Sequence, residues 1–167
     1  MLSLAADCGQ MQESQISEDE LIIYDGRQSE TAAAVQRGTG RMLRQAGLAF
    51  VPELPLVTGR RVDIIAVDQK GVISVIEIKS SVADFRSDSK WHEYRDFCDR
   101  LYFAVPPDLP QEILPEETGL IVADAYGAEI LREAPEHKLS AARRKAVLLR
   151  FARAAALRLH NVFDPMV

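Results

Sequence analysis

Cysteine is nearly absent from this chain of 167 residues. Cys8 and Cys98 are the only two, too few and too widely spaced for a disulfide framework or a zinc site. No apolar run approaches the roughly 20 residues that cross a bilayer. The opening Met1-Leu2-Ser3-Leu4 has neither the basic stretch nor the apolar core of a signal peptide. No repeat or low-complexity segment is present. Together these absences predict a cytoplasmic protein with no membrane association. An overall excess of basic residues is missing too: the net charge is −5, which argues mildly against a nucleic-acid partner. Acids, however, are absent from residues 137–160, which carry seven Lys/Arg, whereas residues 1–30 hold seven acids against the single base Arg27. A basic C-terminal face could hold a phosphate backbone while the acidic end stays away from it. Hydrophobic content of 47% and charged content of 27% fit one globular domain large enough to bury a core.

Ordinary core-building does not explain Val62-Asp63-Ile64-Ile65-Ala66-Val67 and Val75-Ile76-Glu77-Ile78-Lys79. Runs this apolar and β-branched read as strands buried on both faces. An ionised group there costs several kcal/mol unless it is paired or bound to a metal. Gly71 marks the turn between the runs. With Gln69-Lys70-Gly71 as the loop, paired residue numbers sum to 140, so Asp63 faces Glu77. Lys79 then projects on the same face as Glu77, because side chains alternate along a strand. Two close carboxylates repel, and one stays protonated near neutrality unless a cation intervenes. All-oxygen ligands favour a hard ion, Mg²⁺ or Mn²⁺, which takes one or two protein carboxylates and keeps several waters. The chemistry implied is metal-assisted phosphodiester hydrolysis, with the Lys79 ammonium orienting water or offsetting phosphate charge. The competing reading is a buried ion pair of Lys79 with one of the two acids.

At these residues the sequence resembles the PD-(D/E)XK nuclease superfamily. The resemblance implies that Asp63, Glu77 and the backbone carbonyl of Ile78 hold the metal and that Lys79 serves the water. Val62 stands where the superfamily's name places proline. Gly47-Leu48-Ala49-Phe50-Val51 is similar to the first strand of archaeal Holliday-junction resolvases. The segments Asp84–Trp91, Tyr94–Asp99 and Leu101–Pro106 look like the MmcB family of bacterial DNA repair proteins, a likeness covering about Asp25 to Leu159. It implies an α/β, restriction-endonuclease-like core: a central mixed β-sheet flanked by helices, with an extra C-terminal helix. DNA would be the partner, with other repair proteins and nucleoid association when acting; a homodimer is compatible with the sequence.

The coarse order is αβββαβ, followed by a hairpin and a final helix. Residues 1–24 read as an acidic, weakly ordered segment and 25–167 as a single domain. Ser29 caps a helix that ends before Gly47. Its interior Gly38 and Gly40 disfavour continuity. Leu48–Val57, broken by Pro52 and Pro55, reads as an edge strand. Lys90–Arg100 reads as a helix, Leu101–Val105 as a strand, Pro106–Pro115 as a loop, and Leu120–Asp124 with Ala128–Arg132 as a hairpin. The last helix starts near Ser140, with Leu148, Phe151, Ala152, Ala155 and Leu159 on its apolar face.

Other candidates follow from position. Glu53 has the parity to approach Asp63 as an extra metal ligand. Lys90 and Tyr94, four apart, are similar to a Gln-xxx-Tyr element that supports the site and contacts DNA in some relatives. Arg143, Arg150 and Arg153 cluster opposite the apolar stripe of the last helix. They read either as a phosphate-contacting row or as a solvated face whose stems cover apolar surface. Trp91 reads as core, His92 as solvated, and Asp84 and Asp88 as helix-flanking acids able to tune the site from behind. Two functions remain: a metal-dependent deoxyribonuclease of DNA repair, or a catalytically inactive nucleic-acid-binding or adaptor domain of the same fold.

Overall fold

In the computed structural model, which describes residue 21 and residues 28–165, the first complete helix starts where capping chemistry predicts. Ser29 accepts from the Ala32 amide through its side chain, and α1 runs unbroken over Glu30–Gln45. Its two internal glycines are explained by close approach. A Cβ at Gly38 would lie 2.1 Å from the Asp124 carbonyl oxygen, and one at Gly40 would lie 2.7 Å from the Phe50 ring. The space they leave lets the helix sit flush on the sheet.

Six strands follow one another across a single sheet in sequence order: β1 (Ala49–Pro55), β2 (Arg61–Val67), β3 (Ile73–Ile78), β4 (Arg100–Val105), β5 (Gly119–Ala123) and β6 (Ala128–Arg132). The β1, β2 and β3 strands form an antiparallel meander. The β3–β4 and β4–β5 pairs are parallel, and β5–β6 closes as an antiparallel hairpin. The proline-bearing β1 is an edge strand, where a missing amide costs no ladder bond. Gly71, with φ of 79°, turns β2 into β3. The register Ile64↔Ile76, Ile65↔Val75 sums to 140, as the sequence predicts. This mixed sheet flanked by helices, with an additional C-terminal helix, is the α/β architecture expected.

The two sheet faces are covered differently. On one, Ile64, Ile76, Tyr102, Ala104 and Ile121 pack against Val35 and Leu43 of α1. On the other, Val75, Leu101, Phe103 and Leu120 pack under Trp91 and Phe97, and beneath the long C-terminal helix α3 (Ala141–Phe163), which contributes Val147 and Ala154.

Three expectations are corrected. The segment after β3 is a short helix α2 (Val82–Ser87) followed by a 3₁₀ helix over Trp91–Phe97, with Lys90 as its cap, rather than one helix over Lys90–Arg100. The proline-rich loop contains a 3₁₀ turn at Gln111–Ile113. On α3, Val147 and Ala154 are the buried residues, while Ala152 and Leu159 of the expected apolar stripe face solvent. Most of the acidic segment 1–24 lies outside the described residues. Leu21, within it, is buried in the core, and its carbonyl accepts from Arg158.

Candidate active site

The β2–β3 ladder stops one residue short of the two acids. Beyond Ile64↔Ile76 the strands part, and carboxylates occupy the place of the missing backbone bonds. The Ile78 amide donates to Asp63 Oδ2 at 2.7 Å, and the Asp63 amide donates to Glu77 Oε1 at 3.3 Å. Asp63 and Glu77 therefore stand side by side at the end of a greasy hairpin, as its register requires. Both line a cleft of about 480 Å³ together with Ile78 and Lys79.

Burial is the main cause of the electrostatics. Glu77, 3% exposed, is held well above the usual carboxylate range by desolvation and then by the charge of Asp63, with Lys79 pulling the other way. Asp63 is also raised by desolvation, moderated by the Ile78 amide and by Lys79. Lys79 follows a different logic. Burial would lower its ammonium pKa, but a hydrogen bond to Asp88 and the charges of Glu77, Asp88 and Asp84 outweigh it and raise it. The Lys79 Nζ to Asp88 Oδ2 distance is 2.6 Å. The ion pair of Lys79 with Asp63 or Glu77 entertained from sequence is thus corrected: its partner is Asp88. The Lys79 hydrogen bond is among the interactions that hold the Asp88 carboxyl below its ordinary value, against desolvation.

Around this centre Asp84 accepts from the amide and hydroxyl of Ser80, and Ser81 caps α2 through the Asp84 amide. Lys90 and Tyr94 both line the cleft, though on a 3₁₀ helix and its cap rather than one α-helical face. The Tyr94 hydroxyl donates to the Arg61 carbonyl at 3.4 Å, and burial pushes its pKa up. Arg60 and Arg61 add two cations to the rim; Arg60 also pairs with Glu93. Sequence reasoning missed these two arginines and Gln28 and placed Ser29 only as a helix cap, because residues at the ends of elements carry no periodicity that would aim them at the cleft.

Glu53 falls next to Asp63 in the row Glu53, Asp63, Glu77 that the registers define. It is 3% exposed, with φ of 49°, a left-handed backbone that few non-glycine residues adopt. Its carboxylate takes Gln28 Nε2 at 3.3 Å and lies 3.6 Å from Arg61 Nη1. Arg158 of α3 grips the carbonyls of Pro52 and Glu53 and so fixes this distorted turn. Arg143, Arg150 and Arg153 do not line the cleft. Arg143 lies 4.9 Å over the Phe97 ring, Arg150 donates to the Pro55 carbonyl at 3.5 Å, and Arg153 is exposed. Trp91 is core, edge-on to Phe103, with exposed His92 stacked on it. Among the described residues no group of three or more His, Cys, Asp or Glu is arranged to hold a metal ion, and no helix is long and apolar enough to cross a membrane.

A family model described as DNA repair protein MmcB-like matches residues 19–166. The chain belongs to the MmcB-like DNA repair family. Its likeness to a solved structure described as the SPO1766 protein of unknown function from Silicibacter pomeroyi is extensive. The two are 48% identical with a TM-score of 0.78, over 82% of this chain and 94% of that one. A repair endonuclease from Pyrococcus abyssi is far more distant, with 20% identity and a TM-score of 0.39 over 62% of this chain and 50% of that one. No curated protein matches.

Proposed function

We propose that this MmcB-like protein is a metal-dependent deoxyribonuclease whose active centre is the cleft at Asp63, Glu77 and Lys79. One observation carries the reading: two desolvated carboxylates face each other in an open cleft without enough donors to hold both charges. Each spends one oxygen on a backbone amide, and their remaining oxygens form the hard donor set that suits Mg²⁺ or Mn²⁺. Two protein carboxylates suffice, because such ions keep several waters. Asp63 and Glu77 would hold the ion, with the Ile78 carbonyl and Glu53 as further candidates. The ion's chemistry when bound is to polarise a phosphoryl oxygen and to lower the pKa of water.

The chain's own groups do the rest. Lys79, kept protonated and aimed by Asp88, offsets negative charge growing on the phosphoryl group. Lys90, Arg60 and Arg61 at the rim receive the flanking phosphates of DNA. The dry walls around Glu77 strengthen these interactions. Arg153, the exposed arginine of α3, is the candidate there for a more distant phosphate. The alternative, a nucleic-acid-binding or adaptor domain without turnover, draws on the same Lys79–Asp88 pair, which can equally be a structural tie.

Lys79→Met separates the two readings. Lys79 has donors only and is no metal ligand, so Mn²⁺ and DNA binding should stay near wild type while cleavage falls by roughly two to three powers of ten. The assay offers single-stranded, duplex, flapped and branched DNA with Mg²⁺ or Mn²⁺. Cleavage by wild type that Lys79→Met retains in full overturns the assignment; binding without cleavage on every substrate favours the adaptor.

A further inference from the structure

The helix α3 has a second apolar face that none of the described residues covers. Val147 and Ala154 turn inward. Arg143, Arg144, Arg150 and Arg158 are engaged by Phe97, Asp99, Pro55 and the β1 carbonyls. At 100° per residue, the opposite side presents Leu149, Ala152, Ala156, Leu159 and Phe163 in one row, with Lys145 its one charged member. Leu149 is 60% exposed, Leu159 57% and Phe163 79%, with Val162 beside it at 76%. The row's spacing of three and four residues is the seam of a helix pair.

The two ends of this row complement each other. The N-terminal end carries an open apolar groove of about 630 Å³ between Leu139, Ala141, Lys145, Leu148 and Leu149. The C-terminal end carries the projecting Phe163 and Val162. These ends lie 14 residues apart, about 21 Å along the axis. A two-fold axis through Ala156 in the middle of the row would place each copy's Phe163 against the other's groove. It would also bring the exposed Asp164 of one copy near Lys145 of the other; neither has an ion pair within the chain among the described residues. The charges therefore match in the antiparallel sense, and the small Ala152 and Ala156 let the helices approach closely.

We propose that the outward face of α3 is a self-association surface on which two copies of this chain pack their C-terminal helices antiparallel about Ala156. The surface is isologous, the commonest arrangement for a homodimer. One helix per partner belongs at the low end of the roughly 1,200–2,000 Å² that specific interfaces bury, so dissociation on the order of 10 µM is expected. The inference is independent of the cleft's chemistry, because none of these side chains lines it.

Sedimentation velocity on the full chain from about 1 to about 200 µM tests it. A monomer–dimer transition is expected, and Leu159→Glu with Phe163→Glu should leave only monomer with an unchanged circular-dichroism spectrum, both residues being exposed. Orientation is read by thiol oxidation in a Cys8→Ser background, since Cys98 is buried. Ala156→Cys should couple to itself. Leu149→Cys should couple to Phe163→Cys when the two variants are mixed, but not to itself, the copies of residue 149 standing about 21 Å apart. Monomer throughout the range, a dimer indifferent to the two glutamates, or self-coupling at residue 149 as fast as at 156 would each overturn the proposal.

Discussion

Asp99 and Glu77 are both carboxylates withdrawn from water beside the same parallel strand pair, and their surroundings are opposite. Asp99, immediately before β4, accepts from the Ile73 and Leu139 amides at 2.8 and 3.1 Å and from both terminal nitrogens of Arg144 at 2.6 Å. Desolvation works against its charge, but Arg144 and the two amides more than compensate, and its pKa falls. Its own backbone bonds Ile73 and His137, so one side chain ties the hairpin, β4 and the start of α3 together. Glu77 has a long bond from one amide and a second carboxylate for a neighbour, and its pKa rises. A buried acid saturated with donors holds a fold together. One left short of donors is destabilising by itself, and a cation would relieve it.

Removing each charge in turn is the sharpest way to break that contrast. Asp99→Ala leaves Arg144 and two buried amides without their acceptor and should cost about 3–5 kcal/mol in urea denaturation. A loss under about 1 kcal/mol would mean that Asp99 is dispensable and the contrast empty.

Metal binding should respond only on the other side of the comparison. Asp63→Asn and Glu77→Gln should each weaken Mn²⁺ binding by at least about 100-fold in calorimetric titration, near 2.7 kcal/mol, with little loss of fold. Equal affinity in both variants and wild type would remove the cation from the account of this site.

The pH dependence of stability in metal-free buffer should carry opposite signs. Glu77 has a folded pKa above its unfolded value near 4.3, so the folded state is favoured below that value and loses stability as pH rises toward the folded pKa. Glu77→Gln should therefore match wild type near pH 4 and exceed it in stability at pH 8. Asp99 has a lowered pKa, so its contribution is present above its unfolded value near 3.9 and disappears as pH falls through the folded one. Chemical denaturation at four or five pH values reads both; a Glu77→Gln variant less stable than wild type at pH 8 would contradict the sign.

How far the sequence could be read follows the same physical division. The Asp63–Glu77 juxtaposition was legible because Gly71 fixes the turn and the strand period of two fixes the rest. Ser29 and Ser140 announced their helices by capping chemistry. The partner of Lys79 was not legible. Asp88 reaches it from a stretch holding a six-residue helix and a 3₁₀ turn, too short for any period to show. The distorted Glu53 turn depends on Arg158, 105 residues away. On α3 the apolar positions nearly encircle the helix, so periodicity alone chose a stripe lying between the face that meets the body and the face that meets solvent.

The smallest effect concerns the basic side chains, which divide as the acids do. Arg144 and Arg158 each commit three of their five guanidinium N–H groups to carboxylate or carbonyl oxygens inside the chain. Lys90 is exposed at the rim of the cleft. If DNA crosses that cleft, Lys90→Ala should lower the slope of log affinity against log salt by about one counterion while leaving stability within about 0.5 kcal/mol. Arg153→Ala, on the exposed side of α3 and outside the cleft, is the matched comparison. An equal drop for both would extend the DNA path along α3. A drop for Arg153→Ala alone would move it off the cleft, and with it the reason for keeping two donor-poor carboxylates there.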